Sequence, residues 1–471
     1  MSSFYSSQIY RKSPIFLQNS FVTAKGLLHE KFYTGKRFNL LQREIIQNEK
    51  TTSAEMRELQ LAKLKEILNY AYEYVPYYKK SFDRLGFSPS HIADIDDIKD
   101  LPFLDKQIIR DQFEELIPLN FRKRLLFKKT TSGTTGSPLA ILMNREVIQS
   151  EHAFIARQYR WAGCSDKGRI ASFRGDIIVP VEQIKLAYWR YNRCSRELLF
   201  SSYHLSDDTI AKYLGRLNKF DPELIYAYPS FIFLLAKYAK KNSVDILLPS
   251  LRGIVTSSET LFDYQKKLIE EVFHSRVFNW YGLSERVIFI GTCERGGHHV
   301  FPDYGLTEFI PLPGSEKQGL FELVGTSFIN KVMPLIRYRT GDMVTLISEP
   351  CECGRSFSRV RSIVGRSNDA IVTPEGRTIL MVDDVFKDIE NIKLAQIVQK
   401  KIDEIDILVE PEATFNIVDE ERIIKNMRLR IGEKINISVN RVIKIPRMPS
   451  NKYKLIVSNL GDKNHNSLSN S

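Results

Sequence analysis

A run of small polar residues, from Thr131 to Pro138, has the composition of a ligand-binding loop. Seven of its eight residues are Ser, Thr or Gly, and none is charged. Glycine lets backbone N–H groups approach a ligand closely, and hydroxyls donate to oxygens, so such a loop can wrap a polyphosphate. It lacks the Gly-Lys-Ser/Thr ending of a P-loop, and a solvated turn is the alternative interpretation. The candidate phosphate-binding residues are Ser132, Gly133, Thr134, Thr135 and Gly136.

Cysteine and histidine residues form a second candidate site. Cys351 and Cys353 are separated by one residue, which is too close for an ordinary disulfide, and Cys293 and His299 add two further zinc-compatible ligands. His298 is an alternative to His299. The pattern indicates a structural zinc site, and the alternative interpretation is a pair of reduced surface cysteines with unrelated neighbours.

Composition narrows the class of protein. The chain has 471 residues and a formal net charge of +12, but its basic residues are spread along the sequence and no nucleic-acid-binding motif is present. No apolar run is long enough for a transmembrane helix, and the N-terminus lacks the order of a secretory signal. Five cysteines in so long a chain favour a reducing compartment. Together these features predict a cytoplasmic protein that does not bind nucleic acid.

The elements that must position these residues alternate between helix and strand. A helical pattern runs from Glu55 and ends at Pro76, and the middle of the chain alternates strands with helices, which predicts an α/β fold. We expect a large N-terminal domain over residues 1–365 with a β-rich subdomain near 305–347, then a small α+β domain over 366–471. The small domain is expected to contain amphipathic helices at Asp384–Ile389 and Asp419–Ile431. The polar tail 461–471 is expected to be disordered.

Several motifs, in order along the chain, resemble those of the adenylate-forming superfamily. Thr130–Pro138 resembles its phosphate loop, and Tyr281-Gly-Leu-Ser-Glu285 resembles its adenine and magnesium motif. Arg337-Tyr-Arg-Thr-Gly-Asp342 is similar to its ribose motif. Gly365-Arg-Ser-Asn-Asp369 resembles its interdomain hinge, and Pro449-Ser-Asn-Lys452 resembles the segment of its catalytic lysine. Five motifs in order make chance a poor explanation.

The closer resemblance is to the phenylacetate–CoA ligase-like branch, particularly its capsular-polysaccharide biosynthesis members. It covers residues 60 to 457 and includes the stretches Leu68–Tyr78, His299–Asp303 and Cys351–Arg355. This resemblance implies a large α/β domain and a mobile C-terminal lid. It also implies a ligase that uses ATP and Mg²⁺ to convert a carboxylic acid to its acyl-adenylate.

The resemblance also implies roles for individual residues. Asp342 would bind the ribose hydroxyls, Glu285 would hold Mg²⁺, and Ser284 would donate to the α-phosphate. Lys452 would bridge the attacking carboxylate and the α-phosphate as a mobile point charge. The residues implied to contact the adenine are Tyr281, Gly282, Ser258 and Glu259.

The motifs of the mobile domain depart from the family pattern at two positions. Asn451 precedes Lys452 where the family has Gly, and Asn368 stands at the hinge where the family has Asp or Lys. Arg366 would contact the nucleotide near the domain junction, and Lys454 is an alternative to Lys452. The alternative interpretation of these departures is a nucleotide-binding scaffold protein whose catalysis is impaired.

The acyl pocket gives the weakest sequence signal. Its candidate residues follow or flank predicted strand ends, where α/β sheets place ligand contacts, and they are Arg174, Tyr203, His204 and Tyr228. The ligase resemblance implies coenzyme A as acyl acceptor, whereas the polysaccharide branch suggests an amino sugar. The sequence names neither the acid nor the acceptor.

Overall fold

The computed structural model describes residues 5, 7–122, 126–130, 139–183, 187–312, 319–366, 370–375, 378–379, 382–386, 389, 391–448 and 450–460. The helices are α1 Gln8–Lys12, α2 Ile15–Tyr33, α3 Lys36–Asn48, α4 Ser53–Tyr74, α5 Pro76–Leu85, α6 Lys106–Asp111, α7 Arg145–Trp161, α8 Asp207–Phe220, α9 Pro229–Lys241, α10 Asp263–Phe273 and α11 Ile417–Ile431. The strands are β1 Phe127–Thr130, β2 Ala140–Met143, β3 Ile170–Arg174, β4 Trp189–Asn192, β5 Glu197–Ser201, β6 Leu224–Ala227, β7 Gly253–Ser257, β8 Val277–Gly282, β9 Phe289–Thr292, β10 His298–Val300, β11 Gly305–Pro311, β12 Leu320–Ser327, β13 Tyr338–Leu346, β14 Arg359–Arg366, β15 Ile371–Val372, β16 Thr378–Ile379, β17 Ile392–Lys401, β18 Glu404–Pro411, β19 Asn436–Arg441 and β20 Ile456–Ser458.

Twelve strands form one mixed sheet, in the order β11-β12-β13-β14-β10-β9-β8-β7-β6-β3-β5-β4. The neighbours from β5 through β3, β6 and β7 to β8 are parallel, and the neighbouring pairs on either side of this block are antiparallel. The β-rich segment predicted near 305–347 forms β11, β12 and β13, which continue this sheet. The predicted α/β fold is confirmed.

Helices cover both faces of the parallel strands. Every residue of β6 and β7 is buried, as is usual for parallel strands between two helical layers. Ile225 and Ile254 face a cluster that contains residues of α8, α9 and α10. Tyr226 and Val255 alternate with them and face a cluster on α3 and α7. The carboxyl ends of the parallel strands therefore lie together at one edge, where α/β sheets bind ligands.

Three helices precede the first helix that the sequence pattern predicted. On α2 the apolar Phe16 and Leu28 are exposed, while the polar Gln18 is buried and accepts a hydrogen bond of 2.7 Å from Arg190 Nε. Because the buried face is held by polar contacts, α2 has no apolar stripe that a periodicity argument could detect. The next helix, α4, ends at Tyr74 before Pro76, as predicted.

A second sheet has the order β19-β18-β17-β20, and α11 packs beside it through Ile423, Met427 and Ile431, which are spaced four residues apart.

The prediction of a helix over Asp384–Ile389 is wrong: the described residues of that stretch begin with one 3-10 turn, Asp383–Phe386. Short helices such as α1 and α6 carry a side-chain cap from Ser7 or Asp105, and no such cap is described for this 3-10 turn. The tail 461–471 lies outside the described residues. None of the helices in the described part of the chain combines the length and apolarity needed to cross a bilayer.

Candidate active site and metal centre

The carboxyl ends of β3, β6, β7 and β8 bring the candidate site residues to one edge of the large sheet. Arg174 ends β3, Tyr228 follows β6, Ser258 and Glu259 follow β7, and Tyr281 lies near the end of β8. Register fixes this arrangement, because Phe173 pairs with Ala227 and Ser257 pairs with Trp280. Residues far apart in the sequence therefore meet at one place.

Two tyrosines orient the acidic candidates. Tyr281 donates a hydrogen bond of 2.7 Å from its hydroxyl to Asp342, which lies in β13 and is buried. Tyr338 donates one of 3.0 Å to Glu285, which is also buried and follows β8. Ser284 precedes Glu285 in the same turn and is half-buried. The aromatic residue of each pair holds a carboxylate in place at the sheet edge.

The segment predicted to bind phosphate lies outside the described residues, including Ser132, Gly133, Thr134, Thr135 and Gly136. The strands that flank it are described: β1 and β2 pair antiparallel, and Thr130 is opposite Ala140. The segment therefore joins two neighbouring strands, as the sequence predicted. The hinge candidate Asn368 also lies outside the described residues, and of Arg366 only the backbone is described, opposite Asp342.

Positive charge is concentrated beside this hairpin. Burial among protein atoms, together with the nearby cations Arg286, Lys452 and Arg174, lowers the pKa of Lys129, near the end of β1, to about 8, against the opposing effect of Glu151. Lys129 is nevertheless exposed to solvent. A cluster of cations favours a ligand with several negative charges.

Arg286, one of the cations near Lys129, is a further candidate residue that the sequence analysis did not single out. Its φ of 60° places it in the left-handed region. Its guanidinium forms an ion pair with Glu151 on α7, and Tyr304 donates to the same carboxylate at 2.5 Å. The unusual backbone directs the side chain toward α7. Its only sequence signal was its position directly after Glu285.

The acyl-pocket candidates fall into two groups. The Arg174 guanidinium lies 4.4 Å from the ring centroid of Tyr226 and 5.6 Å from that of Tyr228, and it donates to the Tyr226 hydroxyl. Tyr203 donates to the Gly175 carbonyl at 3.1 Å, so it supports the same loop.

His204 belongs to a separate group. It is within hydrogen-bond distance (2.7 Å) of Ser201 through Nδ1, and its ring stacks on that of Tyr188. Burial lowers the pKa of His204, and its Nε2 is buried without a hydrogen-bond partner. His204 therefore packs with Ser201 and Tyr188 rather than with Arg174.

Lys452 is brought to this edge by the second sheet. It lies four residues before β20, which pairs parallel with β17 through Ile397 and Ile456. Lys452 is half-buried and within electrostatic range of Lys129. The alternative candidate Lys454 is also half-buried, and its carbonyl accepts a hydrogen bond of 3.0 Å from Gln396.

The four predicted zinc ligands come together in another part of the fold, at the turn after β9, in β10 and in the segment between β13 and β14. The ligand atoms of Cys293, His299, Cys351 and Cys353 all lie within 4.8 Å of one another. The two sulfurs of Cys293 and Cys351 are 3.6 Å apart, and Cys353 Sγ is 3.3 Å from His299 Nε2. Bond lengths of about 2.3 Å to sulfur and about 2.0 Å to nitrogen place tetrahedral ligands about 3.8 and 3.5 Å apart, respectively. The cluster fits a tetrahedral zinc ion.

The surroundings of the cluster fit the same ion. His299 Nδ1 is 3.3 Å from the Phe357 carbonyl, which directs the Nε2 lone pair toward the sulfurs. A Cβ at Gly297 would lie 2.8 Å from Cys351 Sγ, so a side chain there would crowd the sulfur. The alternative ligand His298 points elsewhere, with Nδ1 3.0 Å from Thr292 Oγ1. Of the two histidines, His299 is the one that joins the cluster.

Comparison with known proteins finds relatives of this chain. A family model described as the CapK C-terminal domain matches residues 371–459. The chain is 28% identical over 460 residues to protein CapK of Staphylococcus aureus, covering 96% of this chain and 99% of that protein. It is 27% identical over 427 residues to the phenylacetate-coenzyme A ligase of Thermus thermophilus, covering 84% and 92% of the two chains.

The fold comparison agrees. A solved structure of 2-hydroxyisobutyryl-CoA ligase in the postadenylation state matches with a TM-score of 0.67 at 18% identity, covering 90% of this chain and 94% of that one. The same ligase in an open conformation matches with a TM-score of 0.54. The chain is a homologue of CapK and of the phenylacetate-coenzyme A ligases, and its fold is that of the adenylate-forming CoA ligases.

Proposed function

We propose that the chain uses ATP to activate a carboxylic acid as its acyl-adenylate and then transfers the acyl group to coenzyme A. In the first step an oxygen of the acid attacks the α-phosphorus, and the bond to the bridging oxygen breaks as pyrophosphate leaves with the electron pair. In the second step the thiol sulfur of coenzyme A attacks the carbonyl carbon of the acyl-adenylate and loses its proton, and AMP leaves as the carbon–oxygen bond breaks. Two of the similar proteins are CoA ligases by name, a phenylacetate-coenzyme A ligase and a 2-hydroxyisobutyryl-CoA ligase, and this supports both steps.

The observation that carries the proposal is the position of Lys452. A carboxylate and a triphosphate repel each other, so adenylation requires positive charge between them. Lys452, Lys129 and Arg174 come from different elements and lie within electrostatic range at the edge of the sheet. Positive charge fixed before the reactants arrive costs no reorganisation during the reaction.

The carboxylates beside these cations suit the rest of the nucleotide. Asp342, held by Tyr281, offers two acceptor oxygens for ribose hydroxyls. Glu285 accepts from Tyr338 through one oxygen, which leaves the other carboxylate oxygen to act as a ligand. Mg²⁺ is usually held in such sites by one or two carboxylates together with substrate phosphates, so Glu285 fits a magnesium ligand. The ion would neutralise phosphate charge.

The departure at Asn451 leaves the lysine turn intact. Asn451 has a φ of 58°, a conformation that Gly adopts freely and Asn tolerates better than most residues. Its N–H donates to the Met448 carbonyl at 2.7 Å, which closes the turn. This geometry favours the active enzyme over an impaired scaffold.

The lid is proposed to comprise residues 366–471 and to rotate between the two steps. The likeness to CapK over nearly the whole chain supports a place in surface-polysaccharide biosynthesis, where an amino sugar is the rival acceptor.

Pyrophosphate release from Mg·ATP tests the first step, with phenylacetate, 2-hydroxyisobutyrate, amino acids and hydroxy acids as probes. We expect one class of acid to stimulate release and Lys452→Met to abolish it. Added coenzyme A should then give a thioester, whereas an amide formed only with glucosamine would overturn the choice of acceptor. Nucleotide binding without pyrophosphate release for any acid would favour the alternative, a nucleotide-binding scaffold protein whose catalysis is impaired.

We also propose that Cys293, His299, Cys351 and Cys353 hold a structural zinc ion. Three thiolates and one imidazole around Zn²⁺ carry a net charge of about −1. Arg359 lies close to Cys351, and its Nε is buried without a hydrogen-bond partner, so it can donate toward a thiolate. The ion would join the turn after β9 to the segment between β13 and β14.

Elemental analysis of protein purified without chelators tests the zinc site. We expect one zinc per chain, lost in Cys353→Ser together with part of the thermal stability. Cys194→Ser, which changes a cysteine outside the cluster, is the matched control and should keep the metal. Metal-free wild-type protein of unchanged stability would refute the site.

A further inference from the structure

Glu259 connects the large sheet to the segment that carries Lys452. It was expected from the resemblance to contact adenine. In the structure its Oε1 accepts a hydrogen bond of 2.5 Å from the backbone N–H of Tyr453, the residue directly after Lys452. Its Oε2 accepts one of 3.0 Å from the N–H of Ser230, in the first turn of α9. One carboxylate therefore bonds both the end of the lid and a helix of the large domain.

A second set of contacts joins the same elements. Ser230 Oγ donates to Glu259 at 3.2 Å and accepts from Arg447 at 3.0 Å, so the hydroxyl links a carboxylate to a guanidinium. Arg447 also donates to the Asn451 carbonyl at 3.2 Å and lies 4.6 Å from the ring centroid of Phe231. These contacts brace the turn that presents Lys452.

The turn is also fitted closely to the loops after β3 and β5. Asn451 donates from its side-chain amide to Ser202 Oγ at 2.9 Å. A Cβ at Gly175 would lie 2.2 Å from the carbonyl oxygen of Ser450, so a side chain there would exclude the turn. Asn451 thus makes a contact that a glycine at this position lacks.

We infer that Glu259 is a positioning residue that docks the lid in the arrangement for adenylation, by fixing the backbone beside Lys452. Hydrogen bonds to a charged acceptor are stronger than neutral ones, and the carboxylate can accept from both partners at once. Opening of the lid would break the bond to Tyr453 and leave the bond to Ser230, so Glu259 would stay in place for the lid to dock again. The docking itself does not depend on the chemistry, whereas its effect on catalysis rests on the proposed function.

Amide hydrogen exchange of the whole chain tests the docking without any substrate. In Glu259→Ala we expect the Tyr453 amide to exchange about tenfold faster or more, with β17 unchanged. Glu259→Gln keeps one acceptor oxygen but turns an amide toward the Ser230 N–H. Its Tyr453 amide should therefore exchange at a rate between those of the wild type and Glu259→Ala. Glu271→Ala, which removes a surface ion pair with Lys240, is the matched control. Unchanged exchange at Tyr453 in folded Glu259→Ala would overturn the inference.

The two half-reactions provide the catalytic readout. With the acid that stimulates pyrophosphate release, Glu259→Ala should slow release at least tenfold at saturating ATP. Supplied acyl-adenylate should still give thioester at the wild-type rate, because that step does not use the docked lid. An equal loss of both steps would assign Glu259 a general structural role. Failure of the adenylation proposal alone would leave the exchange result intact.

Discussion

Nucleotide binding should take up a proton at Lys129. Burial, together with the nearby cations Arg286, Lys452 and Arg174, lowers the pKa of this ammonium group to about 8. A bound polyphosphate would place opposite charge beside it and return its pKa toward the ordinary value of about 10.4. The affinity that Lys129 contributes is therefore complete below pH 8 and is lost as the pH rises from about 8 to 10.

The size of the effect follows from the pKa of the free enzyme. At pH 8 about half of the Lys129 side chains are neutral, so binding should take up about half a proton per nucleotide. Between pH 7 and pH 9 the protonated fraction falls about tenfold, and nucleotide affinity should fall by the same factor, equivalent to about 1.4 kcal/mol. Because Lys129 is also open to water, solvent screening makes these values upper limits.

Isothermal titration calorimetry of Mg·ATP binding, in buffers with different ionisation enthalpies, measures the proton count directly. Lys129→Arg is the matched control, because its guanidinium remains protonated at every pH used. It should bind ATP without proton uptake and with an affinity that hardly changes between pH 7 and 9. Lys129→Met should bind more weakly at pH 7 and also lose the pH dependence.

Two results would refute this reasoning. One is equal proton uptake in the wild type and in Lys129→Arg, which would assign the proton to another group. The other is a wild-type affinity that is flat from pH 7 to 9, which would mean that Lys129 is fully charged in the free enzyme or lies away from the phosphates.

Three further outcomes are expected. Lys452→Met should lower acid-dependent pyrophosphate release at least a hundredfold, whereas Lys454→Met should change it less than threefold; a reversed order would make Lys454 the catalytic lysine. Asp303→Asn should destabilise the chain by about 1–3 kcal/mol in urea unfolding, because it removes one of the two carboxylates that pair with the fully buried Arg157: Asp303 lies at 2.6 and 2.9 Å, and Glu49 at 3.4 Å. A loss below 1 kcal/mol would contradict that account. Tyr281→Phe should weaken ATP binding about tenfold with little change in stability. Unchanged binding would mean that its carboxylate partner, Asp342, does not contact the nucleotide.

Local patterns were sufficient for much of the architecture. The helix over residues 145–161 is preceded by Asn144, whose side chain caps it, and its buried residues recur at helical spacing. The parallel strands were recognised from short apolar runs between helices. These signals depend only on neighbouring residues, so they can be read from the sequence.

Other features required long-range contacts. The helix α2 was missed because Gln18, on its buried face, is satisfied by Arg190, 172 residues further along the chain. The choice of His299 over His298 depended on the alternation of side chains in β10, which points one ring to the sulfurs and the other to Thr292. Arg286 joined the site through a left-handed backbone that the sequence does not reveal.

The sequence by itself determined the α/β class, the ordered motifs and the chemical types of the ligands, because each of these depends on residue type and near-neighbour spacing. Only the tertiary structure decided which groups meet. It joined Glu259 to Tyr453 across 194 residues, set Lys452 beside Lys129, and closed the Cys and His cluster. Hydrogen bonds and Coulomb forces act over a few ångströms, so their partners are defined only when the chain has folded.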